Sequence, residues 1–294
     1  MKSESNHIIQ AFKFAPLPVL IFNEDGNVKL VNEQWTEITG YTPKDIPTIS
    51  RWVELAYRDN RKEVQAGIEA LFEKHRVVKE GEFKIRTKSG ELRTWDFSSG
   101  PLGVDEQGCR MAISMAVDIT EHKALEKQLR DSATKDSLTK LTNRTELMRK
   151  LKKEINRAKR YNHPVSLMFL DLDNFKQAND THGHLVGDKL LIKLAKVLEN
   201  SLRVSDFTGR YGGEEFIVVL PETRKDDAIE LGKRLCKSIS KDSFALDDIT
   251  LNMTASIGIA SFPDDGENYL EIIDVADGAM YDAKALGKNR VQSS

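Results

Sequence analysis

The segment Arg210–Phe216, RYGGEEF, sets two glycines before two adjacent carboxylates and then enters the apolar run FIVVL. Upstream, SLMFLDLDNFKQANDTHGHLVGD ends a second apolar run in acids. If that run is a strand, alternation puts Asp171 and Asp173 on one side and Leu172 on the other. Carboxylates at the mouth of a buried strand suit Mg2+, a hard cation that takes oxygen ligands and completes its shell with water and substrate phosphates. A lone Asp-x-Asp reads as readily as capping for the helix that follows, and Asp173 in particular reads as structural. The second acidic turn tilts the balance, because Gly212 and Gly213 permit a tight turn with positive φ and close approach of a ligand to the backbone. Two strands that each offer carboxylates beside a glycine turn point to a metal and phosphate site.

The elements that must hold these acids can be read on either side of them. Across 136–294, helical patterns (RTELMRKLKKEINRAKRYN, GDKLLIKLAKVLENSLR, RKDDAIELGKRLCKSIS, NYLEIIDVADGAMYDAKALG) alternate with the strand-like VSLMFLDLD, EEFIVVLP and ITLNMTASIGIASF. Such alternation implies a sheet covered by helices. Residues 8–120 instead hold short strand-like runs. Asp25-Gly26 and Ser89-Gly90 each sit between alternating apolar segments, which is a hairpin signal. Within RDNRKEVQAGIEALFEKH, helical spacing puts Val64, Ile68, Leu71 and Phe72 on one face. The expected class is α+β, with an antiparallel sheet and helices in the first region and a central sheet flanked by helices in the last. Between them, ITEHKALEKQLRDSATKDS is charged and free of Gly and Pro, and Leu125, Leu129 and Ala133 recur every four residues. That narrow stripe has two readings: a connecting helix that pairs with its copy in a dimer, or a helix docked on its own domain.

Composition bounds the function. At 294 residues, 39% hydrophobic and 31% charged, the chain has room for two globular domains. A net charge of −2 gives no general attraction to nucleic acid or to anionic membranes, so a polyanionic ligand must meet a local cluster of Lys and Arg. Cys109 and Cys236 lie far apart and outside metal-ligand spacing, which fits a reducing, cytoplasmic location. The N-terminus lacks the apolar core of a signal peptide, and no apolar run approaches the ~18–20 residues of a membrane span.

Five segments in order, DSLTKLTNR (136–144), FLDLDNFKQANDTHGHLVGD (169–188), RYGGEEF (210–216), ASIGIA (255–260) and ADGAMYDAKALGKNRV (276–291), resemble the GGDEF family of diguanylate cyclases. The resemblance implies a palm-like fold shared with nucleotidyl cyclases and condensation of two GTP into cyclic di-GMP with release of two pyrophosphates. It implies Asp171 and Glu214 as ligands of Mg2+ or Mn2+, with the Leu172 carbonyl assisting. Glu215 is implied in catalysis, either as a metal ligand or as the group that helps deprotonate the 3′-hydroxyl. Asn179 and Asp188 match the guanine-reading pair, and the presence of Asp188 favours GTP over ATP. The residues themselves leave a second reading open, in which both cap the following helix. Phe175, Gly212 and Gly213 fall at nucleotide-binding positions. Lys176, Lys284 and Lys288 match phosphate-contacting positions, although the family often has arginine at the last and lysine lacks its bidentate fork; the plain alternative for Lys284 and Lys288 is a solvated helix face. Because one such domain holds one GTP, the resemblance also implies a homodimer whose two sites face each other.

Just upstream of the signature, Arg203-Val-Ser-Asp206 matches the family's RxxD inhibitory site for the product, and Arg234 falls where the family often supplies a further arginine. A surface salt bridge is the alternative for Arg203 and Asp206. The first region resembles a PAS domain in its apolar–DG–apolar hairpin, Asn32, TGY at 39–41 and DITE at 118–121. That implies a sensor or a dimerisation module; no cofactor is expected for it. Cys109 lies outside the motif of flavin photoreceptors, and His75 reads as an exposed helix-end residue. The resulting expectation is a PAS-like domain over 1–120, a connecting helix over 121–135 and a cyclase domain over 136–294. A receptor that binds GTP or cyclic di-GMP without turnover is the alternative; the metal ligands argue against it, and a cyclic di-GMP hydrolase would need a further domain.

Overall fold

The computed structural model describes residues 2–57, 61–73, 76–241, 244–246 and 249–294; His75 and the ends of the helix expected over 58–75 lie outside them. The chain divides into two compact units, Met1–Lys127 and Gln128–Ser294.

The first unit begins with α1 (Lys2–Lys13), β1 (Val19–Asn23), β2 (Val28–Val31), α2 (Glu33–Thr39), α3 (Ile49–Ala56) and α4 (Arg61–Glu69). A 3₁₀ turn, β3 (Val78–Arg86), β4 (Leu92–Val104), β5 (Arg110–Asp118) and α5 (Thr120–Thr134) follow. Both expected hairpins form, β1 with β2 and β3 with β4, in an antiparallel sheet of order β2-β1-β5-β4-β3. Asn32, 1% exposed, explains its own conspicuousness. Its side-chain oxygen accepts from Trp35 N as the N-cap of α2 and from Val19 N on β1, while its amide donates to Leu17 O. One residue thus ties a helix start to a strand start. Val64 and Leu71 are buried, and Ile68 and Phe72 pack against the same core, as the helical spacing predicts.

α5 leaves the sheet with Ile119 N bonded to Thr94 O and Lys123 paired with Glu82 at 2.8 Å. None of its residues is buried, and Leu125 and Leu129 are exposed. The stripe is therefore not a face docked on its own domain.

The second unit holds α6 (Arg144–Tyr161), β6 (Val165–Leu172), α7 (Phe175–His182), α8 (His184–Ser201), β7 (Phe207–Gly212), β8 (Glu215–Pro221) and α9 (Lys225–Lys241). After these come β9 (Phe244–Leu246), β10 (Ile249–Leu251), β11 (Ala255–Phe262), α10 (Tyr269–Ala285) and β12 (Val291–Ser293). The sheet order is β12-β11-β6-β8-β7, antiparallel except for the β11–β12 pair. Every residue of β6 is buried, because helices cover both faces of the sheet. Met168, Leu170 and Leu172 join the core that holds Leu194 of α8 and Leu235 of α9; Val165, Leu167 and Phe169 join the one that holds Leu151 of α6 and Ala276 of α10. Each such side chain contributes ~1.5–3 kcal/mol on burial, so the end of β6 is a firm place to mount charge. The single strand expected over ITLNMTASIGIASF divides into β10, paired with β9, and β11. Thr254, between them, turns to Asp173: its carbonyl accepts from Asp173 N and its hydroxyl donates to Asp173 Oδ2. Helix α10 lies close on β11 at Gly258, where a Cβ would come within 1.9 Å of Ala276 O. Among the described residues, no helix is long and apolar enough to cross a membrane.

Candidate active site

β6 and β8 pair so that Asp171 stands opposite Glu215. Like charges in direct cross-strand register are unfavourable, and here one of them is buried: Asp171 is 5% exposed. Burial pushes the Asp171 carboxyl above its ordinary range; the Lys284 ammonium, 2.8 Å away, pulls it down, and Glu214 and Asp173 add to the rise. Glu215 is also raised, first by burial and then by Asp171, Asp277 and Glu214. The hairpin places the third acid. Gly212 ends β7 opposite Glu215, which leaves Gly213-Glu214 as a two-residue connection. Gly213 has φ 47, the positive value that the first central residue of a type II′ turn requires. Only this glycine uses the positive-φ freedom expected of the pair, and Glu214 lies in the turn rather than in the strand. A bulge at Tyr211 precedes it, and that ring is fixed by Arg144, whose guanidinium lies 4.4 Å from its centroid, and by Phe169 at 5.2 Å.

Asp173 faces inward to a different task. It is 2% exposed and accepts from Thr254 Oγ1 at 2.6 Å, Ser256 Oγ at 2.7 Å and Asn289 N at 3.0 Å. Ser256 is registered opposite Asp171, so Asp173 joins the end of β6, β11 and the turn after α10. In that turn Lys288 and Asn289 both have positive φ, 61 and 47, a backbone that needs such support. Lys288 Nζ reaches Asn174 Oδ1 at 2.5 Å. Lys284 and Lys288 are thus drawn to the acidic end of β6 rather than forming a solvated helix face.

Phe175 is buried at the start of α7, and Lys176 is exposed beside it. α7 and α8 cross at Gly187, where a Cβ would fall 1.9 Å from Asn179 Oδ1 and 3.1 Å from Phe175 Cζ. That amide oxygen is buried with no hydrogen-bond partner. An unsatisfied buried acceptor costs ~1–3 kcal/mol, and a ligand donor would recover it. Asp188, exposed, is the residue next to this crossing. The capping alternative fails: α8 begins after Gly183 with no side-chain cap.

Arg203 and Asp206 are joined through the backbone, Arg203 N donating to Asp206 Oδ2 at 3.0 Å. Both line a groove with Lys135, Thr142 and Phe207, a set that does not include Arg234, which is exposed on α9. Asp277 lies within the segment ADGAMYDAKALGKNRV, which by itself gives it no role; in the fold its charge helps to raise the Glu215 carboxyl. Among the described residues, no three or more His, Cys, Asp or Glu side chains converge as a metal cage. Two carboxylates and a carbonyl are an open donor set, of the kind Mg2+ completes with water and phosphate oxygens. The mutual charge burden of Asp171 and Glu215 is one that a bound cation relieves.

Residues 133–290 match the family described as diguanylate cyclase, GGDEF domain, and residues 28–115 match the PAS fold. Diguanylate cyclase DosC of Escherichia coli is 39% identical over 160 residues, covering 53% of this chain and 34% of that protein. The bifunctional diguanylate cyclase/cyclic di-GMP phosphodiesterase MucR of Pseudomonas aeruginosa is 37% identical over 180 residues, 61% of this chain and 26% of that one. The chain therefore spans about a third or less of the length of these curated relatives. Among solved structures, the coiled coil and GGDEF domain of DgcB from Caulobacter crescentus, in complex with c-di-GMP, superposes with a TM-score of 0.56 at 28% identity, over 60% of this chain and 93% of that one. With the GGDEF match extending over more than half of its length, downstream of a PAS fold, the chain belongs to the GGDEF diguanylate cyclase domain family.

Proposed function

We propose that the chain is a diguanylate cyclase that condenses two GTP into cyclic di-GMP and two pyrophosphates, as a cytoplasmic homodimer. The observation that carries this reading is the registered pair Asp171–Glu215 beside Glu214, an acidic cluster set against Lys284. Asp171, Glu214 and the Leu172 carbonyl would hold a divalent cation, Mg2+ or Mn2+, which supplies charge neutralisation at the phosphates and acidifies the attacking hydroxyl. Asn179 Oδ1, buried and lacking a donor, accepts from the N–H edge of guanine, with Asp188 beside it. Phe175 walls the base, Gly212 and Gly213 let the triphosphate reach the hairpin backbone, and Lys176, Lys284 and Lys288 meet its phosphates. The 3′-hydroxyl of one GTP attacks the α-phosphorus of the other. The new O3′–P bond forms as the bond to pyrophosphate breaks, and the hydroxyl proton passes to Glu215, whose raised proton affinity suits it to that role. A second transfer with the roles exchanged closes the ring.

One protomer supplies one nucleotide, so the dimer converts encounter into oriented proximity. The exposed leucines of α5 are suited to pairing with a second copy, and residues 121–135 would carry the state of the PAS-like unit (1–120) to the cyclase unit (136–294). Arg203 and Asp206 are assigned to product inhibition, with Arg234 a further contact supplied across protomers. The test is conversion of GTP to cyclic di-GMP by the purified chain in Mg2+, with Glu214→Ala as control. Turnover lost in the variant supports the reading; GTP binding without turnover in the parent, at concentrations that favour dimers, overturns it.

A further inference from the structure

β3 and β4 pair in register from Arg86–Leu92 to Gly81–Phe97 and then slip, so that Lys79 faces Ser98 and Glu80 is the extra residue of a β-bulge. Gly81, at φ 104, supplies the backbone that the slip needs. A bulge re-aims the side chain it carries and is a common device beside binding sites. Here it sets a half-buried carboxylate at the wall of a largely apolar cavity. Glu80 accepts a hydrogen bond from the hydroxyl of Ser99, itself 1% exposed, and both residues line a cavity of about 230 Å³ in the first unit. The neighbouring Lys79 also lines it but is exposed.

Six of the other lining side chains are aromatic, beside aliphatic ones such as Leu20, Ile49 and Val64, and five of the rings form a closed belt. Centroid distances run Trp35–Trp52 4.9 Å, Trp52–Tyr57 6.1 Å, Tyr57–Phe83 6.1 Å, Phe83–Phe97 6.0 Å and Phe97–Trp35 6.4 Å. All five line the cavity. Burial, and then the Glu80 carboxylate, push the Tyr57 phenol far above its ordinary value, so it stays a neutral hydroxyl. A cavity of about 150 Å³ accepts benzene, so 230 Å³ has room for one ring and a short polar arm. Aromatic walls with a carboxylate at one end are the complement of a cation: the rings favour it through their faces, and the carboxylate offers a charge-assisted bond.

We propose that the N-terminal unit binds a small organic ammonium compound, its apolar body about one ring in size within the aromatic belt and its cationic nitrogen on Glu80. The test is calorimetric titration of the full chain, without nucleotide, using three probes of matched shape: 2-phenylethylammonium, 2-phenylethanol and 3-phenylpropanoate. The ammonium should bind about tenfold or more tighter than the alcohol, the worth of one charge-assisted hydrogen bond, and the propanoate should bind least. Glu80→Gln should bring ammonium and alcohol to within about threefold of each other while the tryptophan fluorescence of the folded chain is retained. Equal affinity of the parent for ammonium and alcohol, preference for the propanoate, or no binding of any probe would overturn the assignment. The probe series on the parent chain decides the matter even if the variant fails to fold, and none of these readouts depends on cyclase activity.

Discussion

Asp173 is the residue at which the fold and the proposed chemistry can be separated by experiment. Its carboxylate is 2% exposed and holds three donors, Thr254 Oγ1, Ser256 Oγ and Asn289 N. Hydrogen bonds to a charged acceptor are worth ~1.5–3 kcal/mol each. Thr254 is half-buried and can turn to water, whereas Ser256 is fully buried and its hydroxyl would be stranded. Asp173→Ala should therefore destabilise the chain by about 3–5 kcal/mol, the range of a broken buried network. Asp173→Asn keeps the volume, and its oxygen can keep Ser256 Oγ, the donor to Oδ1. Its amide then meets the two groups that donate to Oδ2, Thr254 Oγ1, which can turn, and Asn289 N, which cannot. The change should cost about 1–3 kcal/mol. The kinetic consequence is specific to where the third donor lies. Asn289 N belongs to the turn that carries Lys288, so Asp173→Asn should raise the KM for GTP by about tenfold, a loss of ~1.4 kcal/mol of binding, with a smaller change in kcat. Denaturant titration gives the stability, steady-state turnover gives the KM and kcat, and amide exchange should show Asn289 losing protection before β6. An Asp173→Asn protein with faster exchange nowhere in 286–291 and an unchanged KM would refute the argument that this carboxylate positions the lysines.

Three further outcomes follow from charge. Glu215→Gln should abolish turnover yet raise stability by about 0.5–1 kcal/mol in metal-free buffer, because it removes a like charge registered opposite Asp171; a lower melting temperature would count against the pairing. Asp171 and Glu215 both hold protons more tightly folded than unfolded, so their contribution to stability is present at acid pH and is lost as pH rises through their raised folded values, a decline that Glu215→Gln should flatten in pH-dependent melts. Arg203→Ala should leave initial rates near those of the parent and weaken inhibition by added cyclic di-GMP by at least about tenfold; inhibition equal to the parent's would remove Arg203 from that role.

What could be read ahead of the structure was whatever one element determines by itself. The unbroken apolar run before Asp171 announces a strand covered on both faces, and Asp25-Gly26 and Ser89-Gly90 announce their hairpins, because period and turn chemistry are local. What could not be read was set by two elements meeting. That Asp171 stands opposite Glu215 depends on the β6–β8 register, which no local pattern states. α7 went unseen because NFKQANDTH is too short and polar to show a helical face, and Gly187 gains its meaning only when Asn179 is found packed against it. Asp277 bears on Glu215 through the packing of α10 on the sheet, which is close at Gly258.

Glu80 is the strongest instance of a locally legible pattern giving the wrong face. Plain alternation along VKEGEFKIR counts Glu80 with Val78 and Glu82, and so does not single it out; a solvated acidic strand is the natural reading. The one-residue slip at Lys79–Gly81 breaks that count, and the side chain lines an aromatic interior instead. The cost of turning a carboxylate inward is several kcal/mol unless hydrogen bonds or a cation offset it. At Glu80, a half-buried residue, Ser99 is among the groups that meet the carboxylate, and five rings close around the space beside it. The second unit makes the same trade, with Asp171, Glu215 and Lys284 at the end of β6. In both units, the proposed ligand is the one whose charge opposes the carboxylate that the fold turns inward.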